Sequence, residues 1–340
     1  MRKLLNKLYI TDENIYLTLD GENVVCKADD EIKLRLPFTN LEGIFCFSYL
    51  GCSPALMGKC AEYGIPINFI SPSGRFLARV QGKSRGNILL RKRQFELFNT
   101  PPVLLQQNTV AAKLANTRSV VKRTLKDYPE LDSDGALTDC IKKLSECIEN
   151  VYNETSSAAI LGIEGSGAKT YFDVFDRLIL HQKDEFCFAV RTKRPPLDRV
   201  NAVLSFLYTI LTLDYASALE SVGLYSYMGF YHTPRPGRES LACDLVEEAR
   251  CIVERFVLTM INLKILKADD FETQISGAVF LNKDGKKKLL SKWQEKKRTD
   301  IMHPYLKQKI KLGLLPYVQS MLLAKYIRGE IEEYPCYIVR

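Results

Sequence analysis

From Lys3 to about Gly82, apolar residues cluster in short β-rich runs rather than recurring at helical spacing. LLNKLYI, NIYLTLD, NVVCKA and EIKLRLP read as strands, separated by turn signals at Asp12-Glu13, Gly21-Glu22 and Asp29-Asp30. GIFCFSY reads as an inner strand and Ser53 to Tyr63 as a helix; PINFIS and RFLARVQG follow as strands around a Pro72–Gly74 turn. From Arg85 the period lengthens to that of helices, with a break at Thr100-Pro101-Pro102. Helices are expected from Val110 to Lys126 and from Ala136 to Asn150, and a mainly helical pattern continues to about Lys325. It is interrupted near 192–197, 232–237 and 282–286. The expected fold class is therefore α+β. A small β-rich N-terminal domain at residues 1–82 meets a larger all-α domain at residues 83–340, with the joint near 80–90.

One helix carries more than packing information. Leu241, Leu245, Ala249, Ile252, Phe256 and Met260 fall on one stripe, with Ser240 as the expected N-cap. Asp244, Glu247 and Glu248 lie off that stripe, where acids also suit the positive end of the helix dipole. The preceding loop holds His232, Pro234, Pro236 and Gly237. Alone, the stretch reads as a solvated helix start. A second stretch, AAILGIEGSGAKTYFDVF (158–175), sets Glu164 between Gly162 and Gly165; alone, it reads as a glycine-rich packing helix. Taken together, Glu164, His232 and the acids at 244 and 247 form a carboxylate–imidazole set suited to Mn²⁺ or Mg²⁺. Cys243 and Cys251 lie close in sequence and leave zinc as the weaker alternative. His181 and His303 have no such company and are expected to be structural.

Composition narrows the setting. The chain of 340 residues is 46% hydrophobic and 26% charged, as in ordinary globular proteins, and is long enough for a sizeable core. No apolar run approaches the roughly 18 residues of a membrane span, and the N-terminus lacks the pattern of an export signal. A cytoplasmic protein without membrane contact is expected. Ten cysteines without a C-x-x-C pair read as reduced thiols. The net charge of +8 is concentrated: residues 75–123 carry eleven Lys/Arg against Glu96, and residues 283–298 carry eight against Asp284 and Glu295. With Phe95, Phe98 and Trp293 interleaved, both segments read as a polyanion footprint.

The stretches GIEGSGAKTYF (162–172), RPPLDRVNAVLSFLY (194–208) and GFYHTPRPGRESLACDLVEEAR (229–250) resemble, in this order, the CRISPR-associated integrases of spacer acquisition. Length and tail are similar to the subtype I-C branch. The resemblance implies a β-then-α chain that joins short DNA duplexes to a CRISPR array. In that reaction a 3′-hydroxyl attacks a phosphodiester at the repeat boundary, with endonuclease activity at the same site. It implies metal ligands Glu164, His232 and Glu247, with Asp244 as neighbouring support within the catalytic set and Glu248 a lesser substitute. It also implies protospacer and repeat DNA as partners, a homodimer through the β domain, and a small ferredoxin-like partner protein. The expected DNA contacts are Arg91, Arg93, Lys113, Arg118, Lys122 and Arg123, with Lys169, Arg235 and Arg238 as phosphate clamps. His232 as a proton-transfer group is the alternative to ligation. Asn201, Ser205 and Tyr208 are expected to pack rather than react. A nuclease using water at the same site, or a non-catalytic DNA-binding scaffold, are the competing readings.

Overall fold

The computed structural model describes residues 3–83, 87–233 and 235–339. Residues 84–86, at the expected joint, and Pro234 of the His232 loop lie outside the described residues. Two compact units are present, and the expected α+β class is observed: strands lead, helices follow.

The first unit begins with β1 (Asn6–Ile10), β2 (Tyr16–Asp20), β3 (Asn23–Ala28), β4 (Glu31–Pro37) and β5 (Leu41–Cys46). Helix α1 (Pro54–Tyr63), β6 (Ile67–Ile70) and β7 (Phe76–Val80) follow. β2, β3 and β4 form an antiparallel sheet, and the other four strands form a mixed sheet in the order β1-β5-β6-β7. β5 runs parallel to both neighbours, with Leu8 opposite Ile44 and Ile44 opposite Ile67, and all three side chains enter one core with Leu17, Val24, Phe38 and Leu56. A strand with parallel partners on both sides is an interior strand, hence the unbroken apolar run of GIFCF. α1 starts where Ser53 accepts the Leu56 N–H and stops at Gly64, whose φ of 69° suits glycine.

The second unit contains α2 (Ile88–Asn99), α3 (Val103–Asp127), α4 (Ala136–Val151), α5 (Ser157–Val174), α6 (Arg199–Ser221), α7 (Ser240–Glu247) and α8 (Arg250–Asn262). The strands β8 (Phe271–Thr273) and β9 (Val279–Leu281) form a short two-stranded pair. Next come α9 (Lys283–Lys297), the pair β10 (Asp300–His303) and β11 (Gln308–Lys311), and finally α10 (Leu315–Arg328). α3 packs against α4, α5 and α8, while α6 packs against α7, α8 and α10. α6 meets the length and composition of a membrane span, contrary to the expectation that no segment would. Most of its apolar surface is buried in the protein, so it serves as a core helix.

Three expectations change. The strand pairs β8–β9 and β10–β11 replace expected helix; runs of three or four residues are too short to give a period. Residues 281–300 and 311–314 belong to the first unit, so the expected second segment, 83–340, is interrupted. Within that unit Leu289, Leu290 and Trp293 of α9 are buried, the Gln294 side chain donates to the Lys7 carbonyl (2.9 Å), and the Lys297 ammonium lies 3.0 Å from the Tyr9 hydroxyl. Consequently the 283–298 basic run is not a uniformly solvated face: Lys286 and Lys297 are buried, and Lys283 pairs with Asp12. Third, the helix expected to run through 240–260 breaks at Glu248-Ala249, and its cap residue is Glu239 rather than Ser240. Ser240 is the first helical residue and is fully buried.

Candidate active site

The loop ahead of α7 is built around one carboxylate. Asp244, with no exposed surface, accepts the backbone N–H groups of Phe230 (2.7 Å), Tyr231 (3.0 Å) and His232 (2.9 Å). Its Oδ1 also lies 2.7 Å from His232 Nδ1. A carboxylate accepts, so Nδ1 donates here, and in the neutral imidazole Nε2 keeps its lone pair. Asp244 can approach this closely because position 229 is glycine: a Cβ there would stand 2.5 Å from Asp244 Oδ2. Asp244 thus positions the loop and the imidazole tautomer and has no free face for a metal. Arg238 closes the loop by donating to the Thr233 carbonyl.

His232 Nε2 faces Glu247 Oε1 at 3.9 Å. Glu247 is 4% exposed and Glu164, on α5, is 16% exposed; the Lys113 ammonium, on α3, sits between them. Lys113 Nζ is 2.6 Å from Glu247 Oε2 and ion-paired with Glu164 Oε1. Arg250, three residues on across the α7–α8 break, brings Nε to 2.8 Å from Oε2. Both cations touch Glu247 Oε2 off the hydrogen-bond axis, and that oxygen remains buried without a directional hydrogen bond. Burial pushes the Glu247 carboxyl upward, but Arg250, Lys113 and His232 outweigh it and hold the group well below the usual carboxylate range. α5 can lie this near α3 because Gly167 leaves space for Leu114.

These groups line one cleft with Lys169, Tyr171, Phe172, Arg191, Lys193, Tyr208 and Glu254. Arg191 is held by Asn201 Oδ1 (2.6 Å) and Ser205 Oγ (3.0 Å), and its guanidinium lies over the Tyr208 ring at 5.6 Å. Arg250 covers the same ring at 4.7 Å, and the Tyr208 hydroxyl donates to Glu254 (2.7 Å). Burial and the neighbouring charges of Arg250, Arg191 and Lys113 depress the Lys193 pKa. Asn201, Ser205 and Tyr208 accordingly position and pack, as expected from their helical spacing.

The expected residues separate into groups. Glu164, His232 and Glu247 reach the cleft, with Lys169 at its mouth. Lys113, expected on a DNA track, is instead an internal counter-ion of the two acids, because it points between α3 and α5. Arg91 is engaged by Glu220 (3.0 Å) and the Gly223 carbonyl (3.1 Å), and Arg118 donates to Ser145 (2.7 Å). Arg93, Lys122, Arg123 and Arg235 are exposed. His181 is exposed, while His303 is buried and hydrogen-bonded to Gln319. Arg191, Lys193 and Arg250 were not anticipated. The basic run RTKR before Pro195 and the i,i+3 spacing of Glu247 and Arg250 were the available signals.

Among the described residues no three His, Cys, Asp or Glu side chains already form a metal cage. The chemistry of the donors nevertheless fits a hard divalent ion: two carboxylates and an imidazole lone pair share the cleft, and a cationic ammonium bridges the carboxylates. Neither Cys243 nor Cys251 lines the cleft, and burial pushes the Cys243 thiol up to about 11 and raises Cys251 as well. None of the ten cysteines is in a disulfide.

Fold and cleft together define a two-unit α+β protein with an acid–imidazole centre set among fixed cations. The family model described as "CRISPR associated protein Cas1" matches residues 8–295. The chain is 42% identical to "CRISPR-associated endonuclease Cas1 1" of Chlorobaculum tepidum, over all of both proteins. It is also 42% identical to "CRISPR-associated endonuclease Cas1 2" of Rhodospirillum rubrum, over 98% of each. Among solved structures, a casposase bound to integration product aligns with TM-score 0.82 at 20% identity, covering 97% of this chain and 92% of that one. A Cas1 protein from Thermotoga maritima aligns with TM-score 0.80 at 18% identity, covering 97% and 99%. This chain belongs to the CRISPR-associated Cas1 family.

Proposed function

We propose that this protein is a metal-dependent DNA endonuclease and integrase that inserts short duplexes into a CRISPR array. The observation that carries the reading is the cleft itself, where Lys113 bridges Glu164 and Glu247 and His232 Nε2 faces Glu247. The endonuclease names of the full-length relatives support the same chemistry. Glu164, His232 and Glu247 would hold Mn²⁺ or Mg²⁺. Bound there, the ion supplies Lewis-acid polarisation of the attacked phosphate and offsets charge in the transition state.

The chain's own groups do the rest. Lys193, Arg191 and Lys169 bind phosphate oxygens at the cleft, with Arg235 and the exposed Arg93, Lys122 and Arg123 extending the contact along duplex DNA. Arg238 acts through the loop it closes. Asp244 orients His232, and Tyr208 stacks under the two guanidinium groups. In the reaction a 3′-hydroxyl loses its proton and forms a new P–O bond. The array strand's P–O3′ bond breaks, and the departing oxygen takes up a proton. With water as nucleophile the same geometry gives scission alone, the reading suggested by the relatives' endonuclease names. In this proposal the protein works in the cytoplasm as a homodimer through residues 1–82, with a small ferredoxin-like partner.

A labelled duplex with a free 3′-hydroxyl, incubated with a repeat-bearing plasmid and Mn²⁺, should become covalently joined to the plasmid. Scission without joining would assign hydrolysis instead. Undiminished activity of Glu164→Ala or His232→Ala would remove the shared-site reading.

A further inference from the structure

Next to the cleft lies a buried polar network that the chemistry above does not use. Glu248 stands at the α7–α8 break, next to Glu247, and is 1% exposed. Its Oε1 accepts the Tyr334 hydroxyl (2.7 Å) and the Gln319 amide (2.9 Å), and its Oε2 accepts the Tyr337 N–H (2.7 Å). Asn116 of α3, one turn beyond Lys113, is equally buried. Its side-chain amide donates to the Glu248 carbonyl and to the Tyr337 carbonyl, both at 2.8 Å, while its oxygen accepts the Val339 N–H at 2.8 Å. Gln319 Oε1 is taken in turn by His303 (2.9 Å).

Such a network is an expensive way to hold two helices together. A buried carboxylate and two buried amides carry desolvation costs that apolar residues of the same volume would avoid, and they tolerate only one mutual arrangement. None of its members lines the cleft, yet Asn116 and Glu248 are each one turn or one residue from residues that do. Asn116 shares a helix face with Lys113, and Glu248 is the backbone neighbour of Glu247 and lies two residues before Arg250.

We propose that residues 334–339 form a positioning strap that sets α3 against the α7–α8 break, and so holds Lys113 in register with Glu247 and Arg250. Asn116, Glu248 and Tyr334 are positioning residues. The strap's effect on metal binding rests on the metal reading of the cleft; its effect on Lys113 does not.

Two readouts on the full chain separate the possibilities. The first is the rate at which Lys113 is acetylated by acetic anhydride, followed by mass spectrometry without metal. The second is Mn²⁺ affinity by electron paramagnetic resonance, both well below the melting temperature. The comparison variant is Gln107→Ala, which removes a buried amide on the same helix that holds the Tyr152 and Glu154 carbonyls and makes no hydrogen bond to residues 334–339. Asn116→Ala and Glu248→Ala should label Lys113 at least tenfold faster than wild type and, by displacing Glu247 against Glu164, weaken Mn²⁺ binding by about 10–100-fold, the range for lost support behind a ligand. Glu248→Gln, which keeps one acceptor, should recover part of both effects. Gln107→Ala should change neither. Should Asn116→Ala fail to fold, Tyr334→Phe, which deletes one hydroxyl, should still accelerate labelling. Wild-type labelling rates in all the strap variants, or equal acceleration in Gln107→Ala, would overturn the strap. Faster Lys113 labelling in a protein that binds no Mn²⁺ even as wild type would uphold the strap and remove the metal reading.

Discussion

Asp244→Asn is the substitution whose consequences the structure defines most closely. The carboxylate has no exposed surface and faces four donors, three backbone N–H groups and His232 Nδ1–H. An amide of the same shape offers one oxygen. If that oxygen keeps the Phe230 and Tyr231 N–H groups, the new NH₂ points at the His232 N–H and at Nδ1. Two buried donors left facing a donor cost about 1–3 kcal/mol each, so a loss of about 2–6 kcal/mol is expected. The imidazole can relieve its share by moving its proton to Nε2 and accepting at Nδ1. That rescue abolishes the lone pair facing Glu247, and with it a candidate metal donor. The variant should therefore lose stability in urea denaturation and also bind Mn²⁺ about 10–100-fold more weakly by titration calorimetry. A variant within about 0.5 kcal/mol of wild type, the scatter of an uninvolved surface change, with unchanged Mn²⁺ affinity, would refute this account of the loop.

Gly229→Ala attacks the same carboxylate from behind. Its Cβ would meet Asp244 Oδ2 at 2.5 Å and the Ser240 backbone at 2.9 Å, so an overpacking loss of about 1–3 kcal/mol and reduced strand transfer are expected, read by urea denaturation and the joining assay. Lys113→Met removes the cation between Glu164 and Glu247. Unit charges about 4 Å apart exchange ~4 kcal/mol at an effective dielectric of ~20, and Lys113 stands closer than that to Glu247, so a modest part of that suffices for a tenfold rise in Mn²⁺ affinity. The metal-free melting temperature should fall, and saturating Mn²⁺ should restore it. His303 is buried with both ring nitrogens bonded, and burial lowers its pKa below the usual value despite the Gln319 hydrogen bond. The folded state then binds the proton less readily than the unfolded chain, so the stability His303 contributes is present above about pH 6.5 and is lost as pH falls below it. The difference in urea midpoint between wild type and His303→Gln should shrink from pH 7.5 to pH 5.5; a constant difference would remove His303 from the account.

Much of the fold was legible because the period changes once, from the strands of residues 3–82 to helices beyond. The expected Ser53–Tyr63 helix lies within one residue of the observed α1, which Ser53 caps and Gly64 ends. The return of α9 to the first unit was not legible, because a Lys-rich amphipathic pattern looks the same whether its Leu289–Trp293 face meets the near or the distant part of the chain. In the site, Glu164, His232 and Glu247 were found through motif resemblance rather than helical pattern. The pattern placed Asp244, Glu247 and Glu248 on a solvated side, whereas all three are buried, each satisfied or neutralised by partners distant in sequence. Asn116, Gln319 and the 334–339 segment meet Glu248 only through tertiary folding, and no local spacing marks them. Lys113 was recognised as basic, but its turn inward depends on the close α3–α5 approach at Gly167.

The central claim is that Glu164, His232 and Glu247 act as one metal-binding set. Mn²⁺ titration followed by electron paramagnetic resonance, with wild type, Glu164→Gln, His232→Ala and Glu247→Gln in parallel, tests it most directly. One strong site in wild type, weakened at least tenfold by each substitution while every variant keeps a wild-type circular dichroism spectrum, is the predicted result. A wild-type affinity retained in any one of the three would take that residue out of the set, and retention in all three would place the metal, and the chemistry built on it, elsewhere.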